Sequence, residues 1–169
     1  MELGPAAAFF DYWEKVRGRT SRVVDRIPPE RLEWSWQAGK FSLGDLVRHL
    51  GGIERYMYAE NAQRKPSRYP GHGRALADGW EAVRAFLEKA HEESMAIFRG
   101  LSPDALAGKC ATPEGTPLTT WKWLRMMPEH EIHHRGQIYT MLGMLNVPTP
   151  PLYGMTATEV QERGQKSDG

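Results

Sequence analysis

Thr119-Thr120-Trp121-Lys122-Trp123-Leu124-Arg125-Met126-Met127-Pro128-Glu129-His130-Glu131-Ile132-His133-His134-Arg135-Gly136-Gln137-Ile138-Tyr139-Thr140-Met141-Leu142-Gly143-Met144-Leu145 reads as one long helix. Around an axis with 3.6 residues per turn, the positions within about 60° of His134 include Thr120, Trp123, Met127, His130, Ile138, Met141 and Leu145, with Glu131 and Gln137 at the margins. A largely apolar stripe is thus interrupted by two histidines one turn apart, and both face a bundle interior. Pro128 removes one backbone donor and predicts a kink. Pro148-Thr149-Pro150-Pro151 stops the segment.

Three further helices are predicted upstream. The first spans about Ala6 to Ile27, with Phe9, Trp13, Val16, Val23 and Val24 near helical spacing, and Pro28-Pro29 ends it. The second begins at Ser42 as N-cap, with Asp45 as an acidic capping-box partner, and runs to about Gln63. The third runs from about Leu76 to Arg99 and is closed by Gly100. Trp34 and Trp36, in the Glu30–Lys40 connector, are expected to pack over the bundle end. Pro66–Gly73 reads as a loop, and Ser102–Pro117 as a crossover with one short turn. Thr156 with Glu159 predicts a last short helix in a tail over 155–169. No alternating strand pattern is evident. The expected fold is all-α: one four-helix-bundle domain over 1–169, with a short extra C-terminal helix.

With 22 Lys and Arg against 21 Asp and Glu, the net charge is +1. No strong field draws nucleic acid or an anionic membrane, so neither is expected as a partner. The cluster Arg64, Lys65 and Arg68 reads as a solvated loop. Cys110 is the only cysteine, which excludes an intrachain disulfide and zinc sites built from two or more cysteines. Met1–Ala8 lacks the basic region of a signal peptide, and no run approaches the ~18 apolar residues of a membrane span. A cytoplasmic location is expected.

Histidines four apart on a helix can reach one cation, and neutral imidazole is the commonest protein metal ligand. His130 and His134 are therefore candidate ligands. His49, central on the second helix, is the candidate third; its face also carries Ser42, Asp45, Ile53, Tyr56 and Glu60. His133 lies about 100° round, either replacing a member of the pair or donating a supporting hydrogen bond. His72 and His91 read as surface residues. A three-histidine set suits zinc, nickel or iron(II) better than the oxygen-preferring magnesium or calcium. Asp45, Tyr56, Glu131 and Gln137 are candidates for orienting groups or handling protons; no residue is assigned as catalytic. Met126, Met127 and Met141 suggest an adaptable apolar pocket nearby.

His130-Glu131-Ile132-His133-His134 also spells H-E-x-x-H, the zinc-protease motif, with Glu131 as base and Glu159 as a distant third ligand. Against that reading, Gln137 and Thr140 stand where a metzincin needs glycine and histidine.

Phe41-Ser42-Leu43-Gly44-Asp45-Leu46-Val47-Arg48-His49-Leu50 and His130-Glu131-Ile132-His133-His134-Arg135-Gly136-Gln137-Ile138 together resemble the DinB/YfiT-like family. The resemblance implies an up-down-down-up four-helix bundle, often homodimeric, with a divalent metal held by His49, His130 and His134. It also implies kinship with enzymes that use a low-molecular-weight thiol, including bacillithiol and mycothiol transferases and a maleylpyruvate isomerase. The expected function is a metal-dependent S-transferase joining such a thiol to an electrophile; the alternative is a non-catalytic, stress-related metal-binding protein. On the back of the fourth helix, Ile132, Gly136, Tyr139 and Gly143 mark either packing within the monomer or a homodimer seam.

Overall fold

Where the apolar period is 3.6 residues, the chain forms helices. The computed structural model describes residues 3–167; positions 1, 2, 168 and 169, at the ends of the expected domain, lie outside them. α1 covers Leu3–Val24 and α2 covers Leu43–Ile53, which continues through a π-helical turn, Glu54–Tyr58, into α3, Ala59–Ala62. α4 is Trp80–Arg99, α5 is Pro103–Ala107, α6 is Thr120–Met144 and α7 is Ala157–Ser167. The Ser42 cap is complete: its hydroxyl accepts from the Asp45 amide (3.0 Å), and Asp45 Oδ2 accepts from the Ser42 amide (3.0 Å). Thr156 and Glu159 close the same reciprocal box before α7.

Side-chain contacts fix the directions of the helices. Phe9 meets Trp121, and Arg17 reaches Glu131, so α1 and α6 run parallel. Gly51 faces Phe86 and Arg55 pairs with Glu93, so α2 and α4 also run parallel. His49 meets His130 while Tyr58 meets Trp123, which sets α2–α3 antiparallel to α6. The bundle is up-down-down-up. Two parallel neighbours in sequence require a long return, and the segment from 63 to 79 supplies it by running back along α2. Its end is anchored by Arg48, a fully buried residue whose Nε donates to the Ala77 carbonyl (2.7 Å) and whose guanidinium pairs with Glu33 and Asp45.

The interior is layered. One apolar cluster holds Phe10, Trp13, Tyr58, Phe98 and Trp123; a second, towards the other end, holds Val23, Leu46, Leu50, Leu87, Ile138 and Leu142. Between them every long helix contributes polar residues: Arg17 and Thr20, His49 and Glu54, His91 and Ser94, His130, Glu131 and His134.

Several expectations are corrected. Ser102–Pro117 is more than a turn: after α5, strands β1 (Lys109–Ala111) and β2 (Pro117–Thr119) pair antiparallel, Cys110 opposite Leu118. The turn between them uses Gly115 at φ +82°, a left-handed conformation that glycine adopts freely. α4 starts at Trp80 rather than Leu76, because Gly79 at φ +81° interrupts the helical path. Trp36 is 53% exposed and does not cover the bundle end; Trp34 does pack on the core. The expected long helix is found as such, α6 being one continuous helix with Pro128 inside it. Among the described residues no helix is long and apolar enough to cross a membrane.

Candidate metal centre

α2 and α6 meet at the polar layer with three imidazoles facing one point. His130 Nε2 lies 3.1 Å from His49 Nε2 and 3.1 Å from His134 Nε2. Ligand atoms of these three residues all fall within 4.8 Å of one another. Nitrogens bound at ~2.0–2.1 Å to one tetrahedral zinc lie about 3.3 Å apart, so the spacing fits a first-row divalent ion.

The outer nitrogens explain why the inner ones are free. Gln137 Oε1, an acceptor only, takes the proton of His134 Nδ1 at 2.7 Å, which leaves His134 Nε2 as a lone pair. His49 Nδ1 is 2.6 Å from the Tyr69 hydroxyl, which in turn is 3.3 Å from His72 Nδ1. Burial, with Asp45's charge adding to it, pushes the Tyr69 phenol up to about 12, so it keeps its proton at neutral pH. It can therefore accept from His49 Nδ1 and donate to His72. Such oxygen partners fix imidazole orientation and raise ligand basicity. Burial lowers His49 to about 3 and His130 to about 4, with mutual repulsion among the rings adding to the effect. His134 is lowered by the same two causes, against a raising contribution from Gln137. All three are neutral at physiological pH. Two lone pairs aimed at a third imidazole cannot all be satisfied by the one proton His130 Nε2 could carry; a cation satisfies them together. The donor set fits a divalent metal.

Tyr69 reaches His49 because Gly52 leaves room: a Cβ there would stand 3.1 Å from the Tyr69 ring. Sequence periodicity misses both Tyr69 and His72, since they arrive from the return segment rather than from a helix face. His72 packs on Phe41 (ring centroids 4.1 Å), and so is no surface histidine. His91 is likewise drawn in, its Nδ1 donating to Glu54 Oε1 at 2.8 Å. The π turn displaces Tyr56, because one extra residue in the turn rotates the helix beyond it. Tyr58 instead sits near His130 (6.3 Å between centroids), while Tyr56 stacks under Arg55. Asp45 spends its oxygens on the cap and Arg48. His133 is exposed, with its ring 4.9 Å from that of His134.

Glu131 takes the other side of α6. It is buried, 3.2 Å from Arg17, which also pairs with Glu54; Trp13 Nε1 donates to Glu54 at 2.8 Å. Burial works to raise Glu54, but Arg17, His91 and Trp13 hold it below the usual range. Burial raises Glu131, only partly offset by Arg17 and Thr20. A base for metal-bound water has to stand beside the metal, and Glu131 is committed to an ion pair instead. Glu159 is occupied by the Thr156 cap. Neither belongs to the histidine cluster, which removes the protease reading.

His134 and Gln137 also border an open cleft of about 980 Å3, walled mainly by apolar side chains of α6 and the segment before α2. On α6's outer face Ile132 is 41% exposed, and a Cβ added at Gly136 or Gly143 would meet nothing within 4 Å. Tyr139 of the same face packs on the core and donates its hydroxyl to the Pro150 carbonyl (3.3 Å), so the face is divided: packed at Tyr139, open at Ile132, Gly136 and Gly143.

Residues 12–138 match the family model of the DinB superfamily. No curated protein sequence matches the chain. A DinB-like protein from Bacillus cereus superposes with a TM-score of 0.70 at 18% identity, over 85% of this chain and 94% of that one. A DinB-like protein from Bacillus subtilis gives 0.69 at 17% identity, over 85% and 96%. At such identities the likeness is one of fold.

Proposed function

Because this chain belongs to the DinB superfamily and gathers three bare imidazole nitrogens beside an apolar cleft, we propose that it is a metal-dependent S-transferase using a low-molecular-weight thiol of the bacillithiol or mycothiol type. The observation that carries this reading is the adjacency of His134 to the cleft. His49, His130 and His134 would hold a zinc, nickel or iron(II) ion through Nε2, leaving a position open. Such an ion lowers the pKa of a coordinating thiol and stabilises the thiolate.

The chain does the rest. Gln137 and Tyr69 hold the ligand rings in place. The cleft binds the electrophile and excludes water from its apolar side. In the transfer the thiol proton goes to solvent and the sulfur lone pair forms the carbon–sulfur bond; the displaced electron pair leaves with a halide, stays on the oxygen of an opened epoxide or moves to the enone oxygen, which then takes a proton from solvent. The reducing cytoplasm, where such thiols stay reduced, is the proposed location. The open part of the outer face of α6 is the proposed seam of a homodimer, checked by light scattering.

The test is thiol conjugation by protein loaded with zinc, nickel or iron(II), using several thiols against a panel of activated halides, epoxides and enones. Metal-dependent conjugation that disappears in His134→Ala supports the reading. No conjugation with any pairing sinks it and favours the non-catalytic metal-binding alternative.

A further inference from the structure

The cleft beside His134 has a composition that narrows what it can hold. Its size, about 980 Å3, is at the upper end of the range for small-molecule sites. Trp36, Phe41, Met141 and Met144 line it, and two of these lie open on its walls: Trp36 is 53% and Met144 58% exposed. Indole, phenyl and thioether groups favour a flat π-system, through stacking and sulfur–aromatic contact. The charge on the walls has one sign. Lys40 is the lining residue with a fixed charge, no aspartate or glutamate lines the cleft, and among the described residues Lys40 forms no ion pair.

Trp36 and Lys40 share a closed turn. The Ser35 hydroxyl lies 2.8 Å from the Gln37 carbonyl and 3.1 Å from that of Lys40, and the Lys40 amide donates to Gln37 (3.1 Å). Gly39, at φ +76°, gives the turn its left-handed step. The aromatic wall and the cation are therefore carried on one hydrogen-bonded turn, set between Trp34 and Phe41, which pack on the core. This is a spacing built into the backbone.

We propose that the cleft binds a flat aromatic compound carrying one anionic group, its ring system against Trp36 and its anion at Lys40. Resting on the S-transferase reading, the compound is that reaction's electrophile, held with its reactive edge towards His134.

The test uses two fluorescent probes with the same ring system, titrated into metal-loaded protein. 8-Anilinonaphthalene-1-sulfonate carries one anion, and N-phenyl-1-naphthylamine carries none. The sulfonate is expected to bind with one-to-one saturation and about tenfold more tightly than the neutral amine, the scale of one ion pair partly shielded from water. Lys40→Met is expected to erase that difference, and Trp36→Ala to weaken both probes about tenfold. Both side chains are exposed, so both variants should keep the wild-type circular dichroism and Tm. Equal affinity for the two probes, or sulfonate binding untouched by either substitution, overturns the proposal.

Cobalt(II)-loaded protein locates the probe independently of turnover. A change in the cobalt visible spectrum on saturation places the ligand beside the histidines; an unchanged spectrum with the probe bound overturns its assignment as the electrophile site. Retained probe selectivity and cobalt shift, without thiol conjugation for any electrophile, would support the aromatic-anion site while removing the S-transferase reading.

Discussion

The polar layer of this bundle contains two clusters, one buried and one half-buried, that share α6 and differ in what they lack. On one side the Arg17 guanidinium sits between the carboxyl groups of Glu54 and Glu131, and His91 is hydrogen-bonded to Glu54, so cation and anions are supplied from within the chain. On the other, His49, His130 and His134 supply only neutral bases, each competing for the same point. One residue, Glu131 or His130, decides which side of α6 is seen. A self-paired cluster holds helices together; a cluster of like lone pairs is complete only with a cation from outside. Substitutions should separate these roles, stability on one side and metal affinity on the other.

The largest effect is expected from Arg17→Met, which leaves Glu54 and Glu131 buried without their shared cation. Breaking one partner of a buried ion pair costs about 3–5 kcal/mol, readable by urea denaturation. Metal stoichiometry in the fraction that remains folded should be unchanged. Loss of metal with stability intact would invert the comparison.

Gln137→Ala acts on the other cluster. Loss of an outer hydrogen bond to a ligand imidazole typically lowers metal affinity ~10–100-fold. Gln137 is exposed, so apo-protein stability should shift by less than about 0.5 kcal/mol. Isothermal titration alongside thermal melts separates the two.

Acid should also distinguish the clusters. In the unfolded chain the histidines titrate near 6.5, whereas folded His49 and His130 sit at about 3 and 4. Between those values the unfolded state binds more protons, so this contribution to apo-protein stability is complete above pH ~6.5 and is lost as the pH falls towards 4. Glu54, depressed below its ordinary 4.5, begins to lose its contribution only at lower pH. Urea midpoints at pH 7.5, 6 and 5 should fall steadily in the wild type and less steeply in His49→Ala. A flat profile would contradict the half-buried neutral imidazoles.

Glu131→Gln should have the smallest effect on the metal. Its carboxylate faces Arg17, so metal content should stay at the wild-type level. A collapse in metal content would put Glu131 back in the centre.

Much of this was legible in the chain. Four apolar periods and their proline and glycine stops revealed the bundle, because helix amphipathicity is a local property. The His130–His134 pair stood out for the same reason, and His49 through its place on a mixed face. What hid was tertiary. Tyr69 and His72 ride on a proline-rich return segment without a period, and reach His49 only because α2 and α4 run parallel. The π turn at Glu54–Tyr58 adds a residue that no straight helical wheel contains, exchanging Tyr56 for Tyr58. The direction of Glu131 depended on Arg17, more than a hundred residues away. The short hairpin was masked by the prolines and glycines that flank its strands.

The central claim is that His49, His130 and His134 together hold one divalent ion. Elemental analysis of purified wild-type protein and the three single alanine variants, each verified as folded, tests it most directly. One equivalent of zinc, nickel or iron per chain in the wild type, falling well below that in every variant, is the predicted result. Metal content unchanged when any one of the three histidines is removed would contradict it.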